Sequence, residues 1–358
     1  MHDPGDPLLS SVMKGDPCTN PGRPDPPLAP DPAAQRRLDL APVRIDRHTH
    51  LEGSLDPAWV RRRAQEENLT PPPPLEALWR HEAVPFEGFI DAFFFSCGFL
   101  RGAEAVQAAV QAAVRRLPSP APDQPRGIDL WVSPHFLVKQ GRLLTLDQLW
   151  RGLDDGIAEA RAQDVHITVI IDAVNHFGIE HGQEVLDLVL AGKPSWVTGF
   201  STGGLERVPF RTWAPVFERA RRAGLRLAAH AGENGPGSNV RDAILEAGVE
   251  RIVHGVRAAA HPEIVELLAD RRIPVDICIT SNRALVPDLG VHPLPALLRA
   301  GVRCALGTDD PGVIPCTLPG EWDQARALGL APDELEAVRN HAVADAWCLP
   351  GHRSGTGG

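Results

Sequence analysis

Two imidazoles two residues apart, His48 and His50 in "HTH", are the first side chains in this sequence that could hold one metal ion together. In a strand, positions i and i+2 share a face. Imidazole suits zinc and its borderline neighbours. Further along, apolar runs stop at other polar groups. His230 ends one in "LRLAAHAGENGPG", with Glu233 three residues on; His254 ends another in "RIVHGV"; Asp309 and Asp310 follow a third in "GTDDPGV". Each has a bland reading of its own. A strand-end histidine is satisfied by a carbonyl, an Asp-Asp pair before Pro311 caps a turn, and Glu233 is a solvated loop acid. Together, at the ends of separate runs, they read as one convergent site.

Elements that would bring these groups together follow from the apolar pattern. Short strand-like runs recur at 43–50, 128–133, 166–172, 196–200, 225–230, 251–254, 274–280 and 302–307. Segments with helical periodicity lie between most of them, most clearly 102–117, 146–163, 213–224 and 262–271. Strands alternating with helices imply parallel pairing, and eight of them imply a (β/α)₈ barrel. An open doubly wound sheet is the rival, but no G-x-G-x-x-G follows the first strand. In such a barrel the chemistry sits at the C-terminal strand ends, where His48, His50, His230, His254 and Asp309–Asp310 fall. The stretch 56–117 is long for one connection and reads as a helical insertion over the mouth. Pro71 to Pro74 mark a loop between two of its helices.

The totals narrow the function. The chain has 358 residues, 43% of them hydrophobic, and a formal net charge of −10. That balance argues against nucleic acid or a membrane surface as partner. No apolar run is long enough to span a bilayer, and no secretory signal pattern opens the chain. The six cysteines are scattered without a C-x-x-C pair, which suits reduced thiols and a cytoplasmic setting. There is no tyrosine, so phenol chemistry is excluded. Residues 1–40 are dense in Pro, Asp and Gly and read as a disordered leader; Met13 could equally be the start. Residues 41–350 read as a single domain.

Five ordered motifs carry a resemblance. "HTHLEGSL" (48–55), "HAGE" (230–233), "RIVHGV" (251–256), "TSN" (280–282) and "GTDDPGV" (307–313) are similar to those of the adenosine deaminase family, within the amidohydrolase superfamily, over roughly residues 43–348. The resemblance implies a (β/α)₈ barrel with one zinc ion held by His48, His50, His230 and Asp309. It implies a bound water that attacks C6 of a 6-aminopurine. His254 would orient that water and stabilise the hydroxide or take its proton. Asp310 would share that work and accept from the purine ring, and Glu233 would donate a proton to ring N1. Gly204, in "GFSTGGLE" (199–206), would offer its N–H to purine N3, or is an ordinary glycine-rich turn.

The implied substrate is a purine nucleoside, adenosine and 2′-deoxyadenosine first, deaminated to inosine and its deoxy form. Two departures bear on that. Glu52 stands where many members carry an aspartate that holds the ribose, and Ser201 stands where adenosine-specific members carry one. The same chemistry on adenine or aminodeoxyfutalosine is therefore open. So are amide or ester hydrolysis and a non-catalytic metal-binding homologue. The oligomeric state is open too. The aromatic stretch 89–100 either lines the pocket or forms the core of the insertion. His135 and His176 read as solvated loop histidines near the mouth. Arg47 falls on the strand-one face turned towards the helices, and nothing in the sequence explains a charge there.

Overall fold

The computed structural model describes residues 42–121, 124–192 and 194–350. The leader at 1–40 lies outside the described residues. Eight strands run in sequence order around one parallel sheet: β1 (Ile45–His50), β2 (Arg126–Val132), β3 (Val165–Val174), β4 (Val197–Gly203), β5 (Arg226–Ala231), β6 (Arg251–His254), β7 (Val275–Ile277) and β8 (Cys304–Leu306). Closure comes just past β8. His50 N–H donates to the Asp309 carbonyl at 2.7 Å and Asp309 N–H to the His48 carbonyl at 2.8 Å. The fold is a (β/α)₈ barrel, as the alternating pattern implies. Its strands are almost wholly buried because helices cover the outer face and side chains fill the interior.

Between β1 and β2 lies the helical insertion: α1 (Pro57–Glu66), α2 (Pro73–Trp79), α3 (Phe86–Cys97) and α4 (Ala103–Arg115). Of the four prolines, Pro73 and Pro74 open α2 rather than lying in the loop; at the first helical turn a missing N–H costs nothing. Further helices follow β2 to β6: α5 (Leu146–Ala162), α6 (Gly178–Leu190), α7 (Phe210–Arg222), α8 (Ser238–Leu245) and α9 (Pro262–Asp270). The apolar run 274–280 is not one strand. It ends β7 at Ile277 and opens α10 (Ile279–Leu285). The last helices are α11 (Leu294–Arg299), α12 (Leu318–Ala327) and α13 (Pro332–Ala344). No helix among the described residues is long and apolar enough to cross a membrane.

Arg47 is not turned towards the helices. The β1–β2 register slips between Asp46 and Thr49, so β1 carries one extra residue there. A bulge of this kind breaks the alternation of faces. Arg47 consequently joins an ionic layer inside the barrel. It pairs with Asp276 of β7 at 3.0 Å and Asp129 of β2 at 3.6 Å. Arg251 of β6 pairs with Asp129 at 2.7 Å and Asp276 at 3.5 Å. All four side chains are fully buried. Trp347 covers the layer, 3.9 Å over the Arg251 guanidinium, and its N–H donates to Asp129. Above it, Trp131, Ile170, Ala228 and Val253 pack with Trp347 as a small apolar cluster.

Candidate active site

The C-terminal strand ends bring the predicted ligands into one buried group. His48 Nε2 lies 3.2 Å from Asp309 Oδ1, His50 Nε2 lies 3.5 Å from the same oxygen, and His50 Nε2 lies 3.3 Å from His230 Nε2. Donor atoms of His48, His50 and Asp309 all fall within 4.8 Å of one another, as do those of His48, His230 and His254. The His230 ring is held by its other nitrogen: Nδ1 faces the Thr202 carbonyl at 2.9 Å. A carbonyl only accepts, so Nδ1 carries the hydrogen and Nε2 presents its lone pair inward. Burial pushes the pKa of His48 and His50 well below the ordinary range and that of His230 down, which favours the neutral, lone-pair form. Burial alone would raise Asp309. The rings of His254, His50 and His230 and a 2.6 Å hydrogen bond from Ser281 Oγ reverse that and keep it a carboxylate. Three neutral imidazoles and one carboxylate are a donor set that fits zinc.

Beside this group stand the acids. Glu233 follows Gly232, whose φ of 70° gives the sharp turn after β5. Its carboxyl is buried, 3.6 Å from His254 Nε2. Burial first, then the Asp309 and Glu206 charges, push its pKa well above the usual carboxylate range. Burial and Asp309 do the same for Asp310, whose Oδ1 has no protein partner. The chain passes so close at Gly53 that a Cβ there would sit 1.9 Å from that oxygen. Asp309 and His254 both take left-handed backbone, φ 63° and 64°. Such conformations in non-glycine residues cluster where function fixes the chain.

Three residues at this site were not singled out from the sequence. Glu206 accepts from the backbone N–H groups of Gly232, Glu233, Asn234 and Gly235 at 2.8–3.2 Å, and from Asn239 Nδ2 at 2.8 Å. It organises the loop that carries Glu233. A run of small residues, "GENGPGS", leaves many N–H groups without partners and so calls for an acceptor. Asn282, in the "TSN" motif, donates from Nδ2 to His254 Nδ1 at 3.0 Å. Asp172, near the end of β3, lines the cleft, its Oδ1 without a hydrogen bond but 3.9 Å from His230 Nδ1; Ser201, its neighbour in register on β4, hydrogen-bonds its side chain.

A cleft opens beside these groups. His50, His230, Glu233, His254, Asp309 and Asp310 form its floor, and Gly204, with φ 80°, lies on its wall. Its mouth is aromatic. Phe89, Phe93 and Phe94 of α3 face Phe136 and Phe177 across it, with Phe94 and Phe136 stacked at 4.8 Å. The stretch 89–100 therefore serves both readings, because Ala92, Ser96 and Cys97 on its other side are buried. Glu52 is not among the lining residues. It is buried and accepts from Ser133 N–H at 2.7 Å. His176 lines the cleft and accepts at Nδ1 from Leu205 N–H, whereas His135 pairs with Glu184.

Comparisons with known proteins agree with this geometry. The family model for adenosine deaminase matches residues 43–354. An adenine deaminase of Cupriavidus pinatubonensis is 31% identical over 304 residues, 83% of this chain and 85% of that one. An aminodeoxyfutalosine deaminase of Acidothermus cellulolyticus is 32% identical, covering 81% and 83%. Among solved structures, the adenine deaminase of Arthrobacter aurescens superposes with a TM-score of 0.76 at 24% identity, covering 87% and 95%.

Proposed function

The chain belongs to the adenosine deaminase family and is a hydrolytic deaminase of adenine- or adenosine-type substrates, and from that premise we propose how its cleft works and which substrate it takes. His48, His50, His230 and Asp309 would hold one zinc ion. When bound, zinc lowers the pKa of water to about 7 and so supplies a nucleophile near neutrality. The residues do the rest. Glu233, kept protonated by burial beside two acids, donates to ring N1 and makes C6 electrophilic. Asp310, held protonated in the same way, hydrogen-bonds a second ring nitrogen. Gly204 offers its backbone N–H to N3. Water adds at C6, the amino group leaves as ammonia, and a 6-oxopurine remains. The observation that carries this reading is the buried Glu233 carboxyl beside a cluster of metal-donor atoms; a proton donor aimed at a heterocycle suits deamination better than amide or ester hydrolysis.

Free adenine is the substrate best supported. The polar groups needed for the base are all present. The ribose acceptor that the resemblance places at Glu52 lies off the cleft wall, with Oε1 engaged by Ser133 N–H and Oε2 buried without a hydrogen-bond partner. Position 201 holds a serine. Adenosine itself is therefore the less favoured reading. A nucleoside with a larger aromatic 5′ group, of the aminodeoxyfutalosine type, is the second reading, favoured by the phenylalanine-lined mouth.

One assay separates these. Zinc-loaded protein is followed by loss of adenine-ring absorbance on adenine, adenosine, 2′-deoxyadenosine and aminodeoxyfutalosine in parallel, before and after chelation. Chelator-sensitive turnover of adenine supports the first reading, and turnover of aminodeoxyfutalosine alone moves the substrate to the second. Fast turnover of adenosine restores the sugar-binding expectation. Silence on all four, with one zinc per chain, overturns the function.

A further inference from the structure

The orientation of a buried amide and the tautomer of a histidine are ordinarily ambiguous, because oxygen and nitrogen, or the two ring nitrogens, can exchange roles. Near His254 the structure removes that ambiguity. A chain of three hydrogen bonds starts from a backbone N–H, which can only donate. Leu294 N–H donates to His292 Nδ1 at 3.2 Å. His292 is buried, and burial lowers its pKa to about 4, so the ring is neutral with one hydrogen. With Nδ1 accepting, that hydrogen sits on Nε2. Nε2 lies 3.3 Å from Asn282 Oδ1. The amide oxygen is thereby identified, and Asn282 Nδ2 must be the group 3.0 Å from His254 Nδ1. A donor at that position obliges His254 to accept at Nδ1 and to carry its own hydrogen on Nε2. That nitrogen faces Glu233 Oε1 at 3.6 Å and Asp309 Oδ2 at 4.0 Å.

We propose that His292 and Asn282 are positioning residues which lock His254 in the Nε2–H tautomer, so that it acts on the substrate side as a fixed hydrogen-bond donor. A ring nitrogen that bears hydrogen is not a metal ligand. The donor cluster His48–His230–His254 is thus divided into ligands and one non-ligand. The Nε2–H also has no lone pair with which to take a proton from water. On the deaminase reading, on which this catalytic consequence rests, His254 stabilises negative charge on the attacking oxygen; proton uptake belongs elsewhere, to the Glu233 carboxylate left once its own proton has gone to N1. The sequence gives no hint of His292: it lies ten residues past Asn282, outside the five motifs.

The test reads the tautomer directly. Zinc-loaded protein labelled with ¹⁵N-histidine is examined by long-range ¹H–¹⁵N spectroscopy, with the two rings assigned by loss of signal in His292→Phe and His254→Gln. The expected result is the Nε2–H pattern for both. An Nδ1–H or doubly protonated His254 overturns the proposal, whatever the enzyme's substrate. Function is then read in Asn282→Asp, whose carboxylate only accepts and draws the imidazole hydrogen to Nδ1. Its kcat should fall about 100-fold, the scale for losing one charge-stabilising donor, with KM within threefold and zinc content unchanged. His292→Phe should lose about 10- to 100-fold, the scale for a group behind a metal site. Unchanged kcat in a folded, zinc-loaded Asn282→Asp overturns the positioning role. If the unaltered protein turns over no substrate, the deaminase reading fails while the tautomer result still stands or falls by itself.

Discussion

On the proposed mechanism, the chemistry of this site turns on one removable proton, that of Glu233. Glutamine at 233 keeps the shape of the side chain but has no transferable proton. Glu233→Gln should therefore lose about 10²- to 10⁴-fold in kcat and still bind one metal per chain with unchanged melting temperature. Steady-state kinetics and metal analysis on the same sample check this; retained activity would move the proton-donor role to Asp310. At this scale the sequence was informative where a residue type was unusual for its place. An imidazole or an acid closing an apolar run is conspicuous, so His48, His50, His230, Glu233, His254, Asp309 and Asp310 could be named, and the structure brings them together. Glu52 was legible as an unusual residue but not as to its partner, since the Ser133 N–H that engages it is 81 residues away. Asp172 reads as an ordinary strand end until its neighbour Ser201 and the cleft wall are known.

Between residues and fold, the loop after β5 is the element that carries the proposed proton donor, Glu233. Its four successive N–H groups converge on one carboxylate, Glu206, which comes from the loop after β4. Hydrogen bonds to a charged acceptor contribute about 1.5–3 kcal/mol each, so the loop is held from outside its own sequence. Glu206→Ala should free those amides and let Glu233 wander. The expected outcome is a kcat reduced at least tenfold, a near-normal metal content, and faster hydrogen exchange confined to residues 232–235. Loss of metal instead would show that Glu206 supports the proposed ligand His230 as well. Element boundaries were legible where periodicity ran long, as in α4 and α5. They failed at 274–280, because a short apolar run fits a buried strand and a buried helix turn equally well. The run in fact serves both, ending β7 and opening α10.

At the scale of the whole molecule, eight strands alternating with helices were enough to expect the barrel, but not what fills it. Strict alternation puts Arg47 outside; the β1 bulge puts it inside, where Arg47, Asp129, Arg251 and Asp276 balance two charges of each sign below the histidine floor. A bulge is a property of strand pairing and leaves no mark in composition. This layer has a measurable consequence. Removing one partner of a buried ion pair strands the other, at a cost of about 3–5 kcal/mol, whereas replacing both by apolar groups of similar volume is often neutral. Arg47→Met leaves Asp276 with the single 3.5 Å contact to Arg251. Urea unfolding of the zinc-loaded protein should show a midpoint loss equivalent to about 3–5 kcal/mol. Arg47→Met combined with Asp276→Leu should recover most of it, with Arg251 still paired to Asp129 at 2.7 Å. Recovery would mean that the charges stabilise the barrel only as a neutral set. A double variant no more stable than Arg47→Met would mean that Arg47 itself, through its packing and its contact with the His341 carbonyl of α13, ties the C-terminal helix to the first strand.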